Sequence, residues 1–244
     1  MNNWITKFIK PGLKTLLKKV RPKPGEDSSW ITCGGCQQLI YKEELYKNFF
    51  ICPKCNEYQK IAPQIRFGFF FDNGEFEILK PPLLPDDPIN FIDTKKYIDR
   101  LATARKFTGQ DDAIMIAKGK LKDINVTVGA QNFAFIGGSA GTQSGEAFIY
   151  GSQHAIDKQT PYIFFTCSGG MRMQEGSLAL SNMSRFVVAI NELKKNNLPY
   201  IVVLTNPSTG GTLASLGMLG DIIFAEPKAT AGFARRASNP TNYW

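Results

Sequence analysis

The chain has 244 residues, 43% of them hydrophobic, and a formal net charge of +8. That is enough to bury a sizeable core, one large domain with an appended module, and no apolar run approaches the roughly 20 residues that cross a bilayer. Residues 1–66 hold 12 Lys and Arg against 5 Asp and Glu, whereas the remainder holds 17 against 16, so the basic character belongs to the N-terminal part and not to the main domain.

Met1 to Val20 places Ile5, Phe8, Ile9, Leu16, Leu17 and Val20 at helix-like spacing with lysines between them, and Pro11 interrupts the pattern. A basic amphipathic arm suits a membrane surface, an acidic partner or an organelle presequence. There is no continuous apolar stretch of the secretory kind, and no Arg before Arg21 or Ser before Ser28, as a presequence would favour. Arg21 to Gly25 (RPKPG) reads as a short stiff linker, which makes residues 1–27 an arm.

Cys33 and Cys36 form one CxxC and Cys52 and Cys55 another, with fifteen residues between the pairs. This spacing predicts a structural four-cysteine zinc site, since two knuckles present four soft sulfurs as a tetrahedron. The alternative, two disulfides in a secreted chain, lacks a signal peptide. A closed four-thiolate shell leaves no position for water or substrate, so the metal is expected to be structural. Leu39 to Tyr41 and Phe49 to Ile51 read as short strands of a zinc ribbon spanning 28–66.

Pro81 to Pro88 reads as a crossover, Asp93 to Arg105 as a basic, partly helical segment, Val126 to Ile136 as a strand and Gly145 to Asp157 as a helix. Pro161 to Cys167 is the next strand, and Gly169 and Gly170 are expected to open directly into a helix. In that helix Leu180, Met183, Val187, Ile190 and Leu193 form a stripe expected to face the core. Tyr200 to Thr205 is a further strand, followed by Gly210, Gly211 and a helical stretch over Leu213 to Leu219. Strands alternating with helices imply an α/β fold of βαβ units. A lone Gly-Gly before a helix is most simply a tight turn. Two such units in succession suggest a site that stabilises negative charge with main-chain dipoles. Cys167 is most simply a small buried residue, and His154, the only histidine, is assigned no chemistry.

Five segments together resemble the carboxyltransferase beta subunit of bacterial and plastid acetyl-CoA carboxylase. They are DTKKYIDRLATARKFTGQDDA (93–113), FAFIGGSAG (133–141), SGGMRMQE (168–175), LPYIVVLTNPSTGG (198–211) and MLGDIIFAEPKA (218–229), in the family's order. Met171 departs from the family's usual alanine, and Thr212 and Leu213 also differ. The resemblance implies a crotonase-like ββα superhelix over 67–244 behind the zinc ribbon. It implies transfer of the carboxyl group of carboxybiotin to acetyl-CoA, giving malonyl-CoA for fatty acid synthesis, in the cytoplasm or a plastid. It further implies an α2β2 assembly with a homologous alpha chain, biotin on a separate carrier protein, and ATP used by a separate biotin carboxylase.

On this reading the N–H groups of Gly169 and Gly170 form an oxyanion hole and Gly210 and Gly211 shape the other wall of the pocket. Lys95, Lys96, Arg100 and Arg105 are candidates for the phosphates of CoA, and Glu175 for capping or orienting a helix start. No side-chain base is evident, and in the family reading the freed biotin nitrogen takes the methyl proton. Through Ala229 the sequence follows the family, and Gly232, Phe233 and Ala234 still echo its turn, but Arg235 to Trp244 does not match the helix expected next. This carries the expectation of a truncated, inactive copy with uncovered apolar surface. A rival reading, a zinc-ribbon nucleic-acid binder with salt-dependent affinity, rests on the basic N-terminal part.

Overall fold

The computed structural model describes residues 29–233; the basic arm, the RPKPG linker and the Arg235–Trp244 segment lie outside the described residues. Strands β1 (Trp30–Thr32) and β2 (Leu39–Tyr41) pair antiparallel with Ile31 opposite Ile40, and helix α1 (Lys42–Lys47) follows. Cys33, Ile40, Leu45 and Cys52 make a small buried core. The second expected ribbon strand is reduced to a single bridge between Ile51 and Tyr58, because Phe49 and Phe50 adopt positive φ (53° and 61°) and turn the chain instead of extending it.

Helix α2 (Pro63–Phe70), with proline in its first turn, leads into the main sheet. The strands are β3 (Phe76–Leu79), β4 (Ile114–Leu121), β5 (Ile124–Gln131), β6 (Tyr162–Ser168), β7 (Tyr200–Thr209), β8 (Ile222–Ala225) and β9 (Ala231–Gly232). They lie in the order β3-β4-β5-β6-β7-β8, with β9 also on β7. The first three pair antiparallel, and β5 to β8 are parallel. Helices α3 (Tyr97–Thr108), α4 (Thr142–Lys158) and α5 (Gly176–Lys195) complete the core, and the turn α6 (Gly210–Thr212) runs into a π-helical stretch, Leu213–Gly217.

All seven residues of β6 (YIFFTCS) are buried, as a strand covered on both faces requires. On one face Phe148 of α4 meets Tyr162, Phe164, Phe186 and Tyr200 at ring-centroid distances of 5.0–5.9 Å. On the other, Phe67 and Phe71 pack with Val126, Val128, Ile163 and Phe165.

Helix α5 corrects the expected stripe. Its buried face is Ala179, Asn182, Phe186, Ala189, Ile190 and Leu193, while Leu180 and Val187 are 57% and 47% exposed. Ile190 and Leu193 of the expected stripe do face the core, and Asn182 joins that face with its Nδ2 donating to Gly141 O at 3.1 Å. No described helix is long and apolar enough to cross a membrane.

Candidate active site and metal centre

The four ribbon cysteines carry no disulfide, and their sulfurs all lie within 4.8 Å of one another. The Cys33–Cys55 and Cys36–Cys52 sulfurs are 3.6 and 3.9 Å apart, against an edge of about 3.8 Å for a zinc tetrahedron with bonds of about 2.3 Å. The donor set and its size fit Zn²⁺. Gly35 N and Gln59 Nε2 both donate to Cys33 Sγ, at 3.4 and 3.3 Å. Burial opposes ionisation of Cys33, yet N–H donors from Cys36 and Gly35 and sulfur contacts to Cys55 and Cys52 prevail and bring its thiol down to about 6.

The two glycine pairs meet in space. A Cβ built on Gly210 would lie 3.1 Å from Gly170 Cα and 3.3 Å from Gly169 O, and one on Gly170 would lie 3.7 Å from Gly211 N. Gly170 and Gly210 both have positive φ (128° and 66°), so these turns combine left-handed backbone with close approach, which glycine alone permits readily. Gly211 has its open side filled by Met171, whose Cγ lies 2.6 Å from where a Cβ would stand. The family departure at Met171 therefore sits at the seam between the two turns.

The first glycine pair does not open directly into a helix. Gly169 and Gly170 form a bend, Met171 bridges to Ala140, a 3-10 turn follows at Met173–Glu175, and α5 begins only at Gly176. This segment is held to the neighbouring glycine turn by Gly169 N→Gly137 O (2.9 Å), Ala140 N→Gly170 O (3.0 Å) and Arg172 N→Ala140 O (2.9 Å). The Gly169 N–H is thus already committed to Gly137. Gly170 N donates to Ser168 Oγ at 3.0 Å, a hydroxyl that also donates to Gly170 O at 3.2 Å. At the second pair the helical turn does start on the glycines, and a first-turn N–H such as that of Gly211 has no carbonyl one turn back to receive it.

Behind these turns lies a buried polar network that sequence reasoning did not find. Arg172, 1% exposed, forks onto Asp112 with Nη1–Oδ2 at 2.6 Å and Nη2–Oδ1 at 2.8 Å. It also donates to Ser139 O (2.6 Å) and Tyr97 OH (3.1 Å). Burial alone would disfavour the guanidinium charge, but Asp112 more than offsets this and pushes its pKa up. Tyr97 in turn donates to Glu175 Oε1 at 2.6 Å, and burial raises its hydroxyl pKa. Glu175 Oε2 accepts Thr142 N at 2.5 Å, so it does cap a helix start, that of α4 and not of the helix it precedes. Only the adjacency of Arg172 and Glu175 to the glycines hinted at this; Tyr97 and Asp112 come from distant segments.

Among the candidate phosphate contacts, Arg105 is held bidentate by Asp86 at 2.5 and 2.6 Å, and Arg100 is paired with Asp93. Lys95 and Lys96 are exposed at the start of α3. Lys60 and Arg66 lie over the Phe133 and Phe165 rings, at 3.6 and 4.8 Å from the centroids, and tie the ribbon's exit to the core. Cys167 is buried, its Sγ contacting Asn206 O at 3.5 Å, and burial pushes its thiol pKa up.

The chain matches the family model "Carboxyl transferase domain" over residues 84–231 and "Acetyl-CoA carboxylase zinc finger domain" over residues 30–55. It is 47% identical over 235 residues to the acetyl-coenzyme A carboxylase carboxyl transferase subunit beta of Pelagibacter ubique (strain HTCC1062), covering 95% of this chain and 75% of that protein. It is 44% identical to the protein of that name from Brucella abortus (strain 2308), covering 95% and 76%. Among solved structures, a transcarboxylase 12S with hydrolysed methylmalonyl-coenzyme A bound is similar with a TM-score of 0.55 at 25% identity, over 70% of this chain and 31% of that one. The Pseudomonas malonate decarboxylase MdcD-MdcE hetero-dimer shares the fold, with a TM-score of 0.54 at 23% identity over 71% of this chain and 65% of that one.

Proposed function

The chain belongs to the acetyl-CoA carboxylase carboxyltransferase beta-subunit family, and from that premise we propose that it transfers a carboxyl group from carboxybiotin to acetyl-CoA where its two glycine turns meet. One observation carries the reading: the backbone contact of Gly170 with Gly210, which sets the N–H of Gly211 beside the Gly170 turn.

A thioester that loses a methyl proton places negative charge on its carbonyl oxygen. Fixed N–H dipoles aimed at that oxygen need no reorganisation, and each is worth about 3–4 kcal/mol in such sites. Gly170 and Gly211 supply these donors. The present acceptor of Gly170 N is the rotatable Ser168 hydroxyl, which keeps Gly170 O as a partner, so an arriving oxyanion displaces one neutral hydrogen bond. Gly169, with its N–H spent on Gly137, holds the turn in register. Arg172, Asp112, Tyr97 and Glu175 sit behind the backbone and fix it, so none of them serves as the base.

Carboxybiotin, delivered on a separate carrier protein, supplies the carboxyl group and then the base. Among the described residues Lys95 and Lys96 reach no carboxylate, so of the four candidates they are the ones to meet the CoA phosphates, since Arg100 and Arg105 already have carboxylate partners. The family name implies a multi-subunit complex. The finer assembly we propose is α2β2 with a homologous alpha chain in the cytoplasm, with ATP consumed by a separate biotin carboxylase. A carboxyltransfer assay of the purified chain with and without a cognate alpha chain tests this: malonyl-CoA formation that requires both chains and falls on substitution of Gly170 is expected, and turnover indifferent to Gly170 would refute it.

A further inference from the structure

The other end of the sheet carries a concavity that the proposed carboxyl transfer does not use. It has a volume of about 670 Å³ and lies between the outer strands and the C-terminal end of α4. Its wall at Asn125 is six strand steps along β5 from Gln131, which borders the glycine turns, a separation of about 20 Å.

Lys118 and Lys120 stand two apart on β4 and so share one face of the strand, the face that also carries Glu77, Asn125 and Thr127 by register. Against that face the last turn of α4 sets His154 and Lys158, four apart and therefore neighbours on the helix surface. The charges are segregated: the three lysines share their wall with Glu77, and the other carboxylates, Asp72, Glu75 and Asp123, stand on the far rim. Lys118 is paired with Glu77 at 3.0 Å, and among the described residues neither Lys120 nor Lys158 reaches an ion-pair partner. Of the acids on the far rim, Asp72 is engaged by the backbone N–H groups of Lys122 and Asp123, while Glu75 and Asp123 border the opposite side.

His154 is anchored by one nitrogen only. Its Nδ1 is 3.0 Å from Thr127 Oγ1, which is itself 2.9 Å from Thr160 Oγ1. Both threonines are buried, so the ring is oriented from behind and Nε2 is left as the nitrogen able to donate to a ligand.

We propose that this cavity binds a small anion bearing phosphate or carboxylate groups, held by Lys118, Lys120, Lys158 and the Nε2 of His154. In size it matches small-molecule sites, which run to about 300–1,000 Å³. Binding is linked to the protonation of His154. Burial and the charges of Lys118 and Lys158 hold the imidazole pKa below its ordinary value, outweighing Asp157 and Glu77. The ring is therefore neutral at pH 7 while the site is empty. An anion on the lysines reverses the local field and favours the imidazolium, so affinity rises as pH falls through the histidine range.

Because His154 is the only histidine of the 244 residues, NMR of the tag-free full chain reads a single imidazole titration. Replacing chloride by inorganic phosphate, or by malonate, at equal ionic strength is expected to move that titration upward by about one pH unit, equivalent to about tenfold tighter binding to the protonated form. The two arms separate phosphate from carboxylate recognition. The double variant Lys120→Ala/Lys158→Ala, altered at exposed positions, is expected to lose the shift. A titration unmoved by both anions, or a full shift retained in the double variant, overturns the proposal.

Discussion

Gly210 stands backbone to backbone against Gly170, so close that a Cβ on Gly210 would lie 3.1 Å from the Gly170 Cα. This contact joins two turns 40 residues apart in the chain. Replacing Gly210 or Gly170 with alanine adds a methyl where φ is positive, and at Gly210 that methyl would also crowd the Gly170 backbone. We expect kcat for carboxyl transfer to fall by about 100-fold or more, with a stability loss above about 1 kcal/mol. Steady-state assays beside thermal unfolding check this, and wild-type turnover in both variants would remove the oxyanion role.

Met171 and Met183 both fill the space over Gly211. Trimming it to alanine widens the seam between the turns. For Met171→Ala the preference for acetyl-CoA over propionyl-CoA is expected to drop by about tenfold in kcat/KM, the worth of a methylene in an apolar pocket. An unaltered ratio means Met171 is remote from the acyl group.

Arg172 and Asp112 form a buried bidentate pair with side-chain exposures of 0% and 3%. Arg172→Met leaves the Asp112 carboxylate without its main partner, and chemical denaturation should show a loss of about 3–5 kcal/mol. Arg172→Lys is not expected to restore it, since an ammonium cannot fork onto both oxygens and reach Ser139 O as well. Wild-type stability in the lysine variant would contradict the fork.

In the metal-free ribbon, the depressed Cys33 thiol favours the fold through its thiolate. That contribution is full above the thiol's unfolded value and is lost as pH falls through about 6. Zinc affinity changes in the same sense, because protons compete with the metal for sulfur. Elemental analysis of freshly reduced protein at pH 7.5 is expected to give about one zinc per chain, with release on acidification below pH 6 and preferential loss of ribbon protection in hydrogen exchange. Absence of metal at neutral pH would sink this prediction.

Strand β8 has β7 as its neighbour, and Ile222, Ile223 and Phe224 are 50%, 37% and 56% exposed. An uncovered apolar edge strand is a template for association. The isolated chain is expected to self-associate with rising concentration, and Phe224→Lys to reduce this in sedimentation velocity. Equal association by the variant would place the contact elsewhere.

The zinc ligands and the α/β order were legible in the linear sequence because each depends on short-range spacing. Two CxxC knuckles bring their sulfurs together through local turns, and a strand buried on both faces, such as Tyr162–Ser168, is a mostly apolar run. The glycine pairs were also legible as special backbone. What they do with their N–H groups was not, since the partner of Gly169 is a carbonyl on Gly137, supplied by a loop 32 residues earlier. Nor could periodicity reveal that α5 turns Leu180 and Val187 outward, because the buried face includes the polar Asn182, whose partner is the distant Gly141 carbonyl. Arg172, Asp112, Tyr97 and Glu175 become a network only when three separate segments converge, and buried charge is tolerated only in such convergence, where partners from distant parts of the chain replace the water each group has lost.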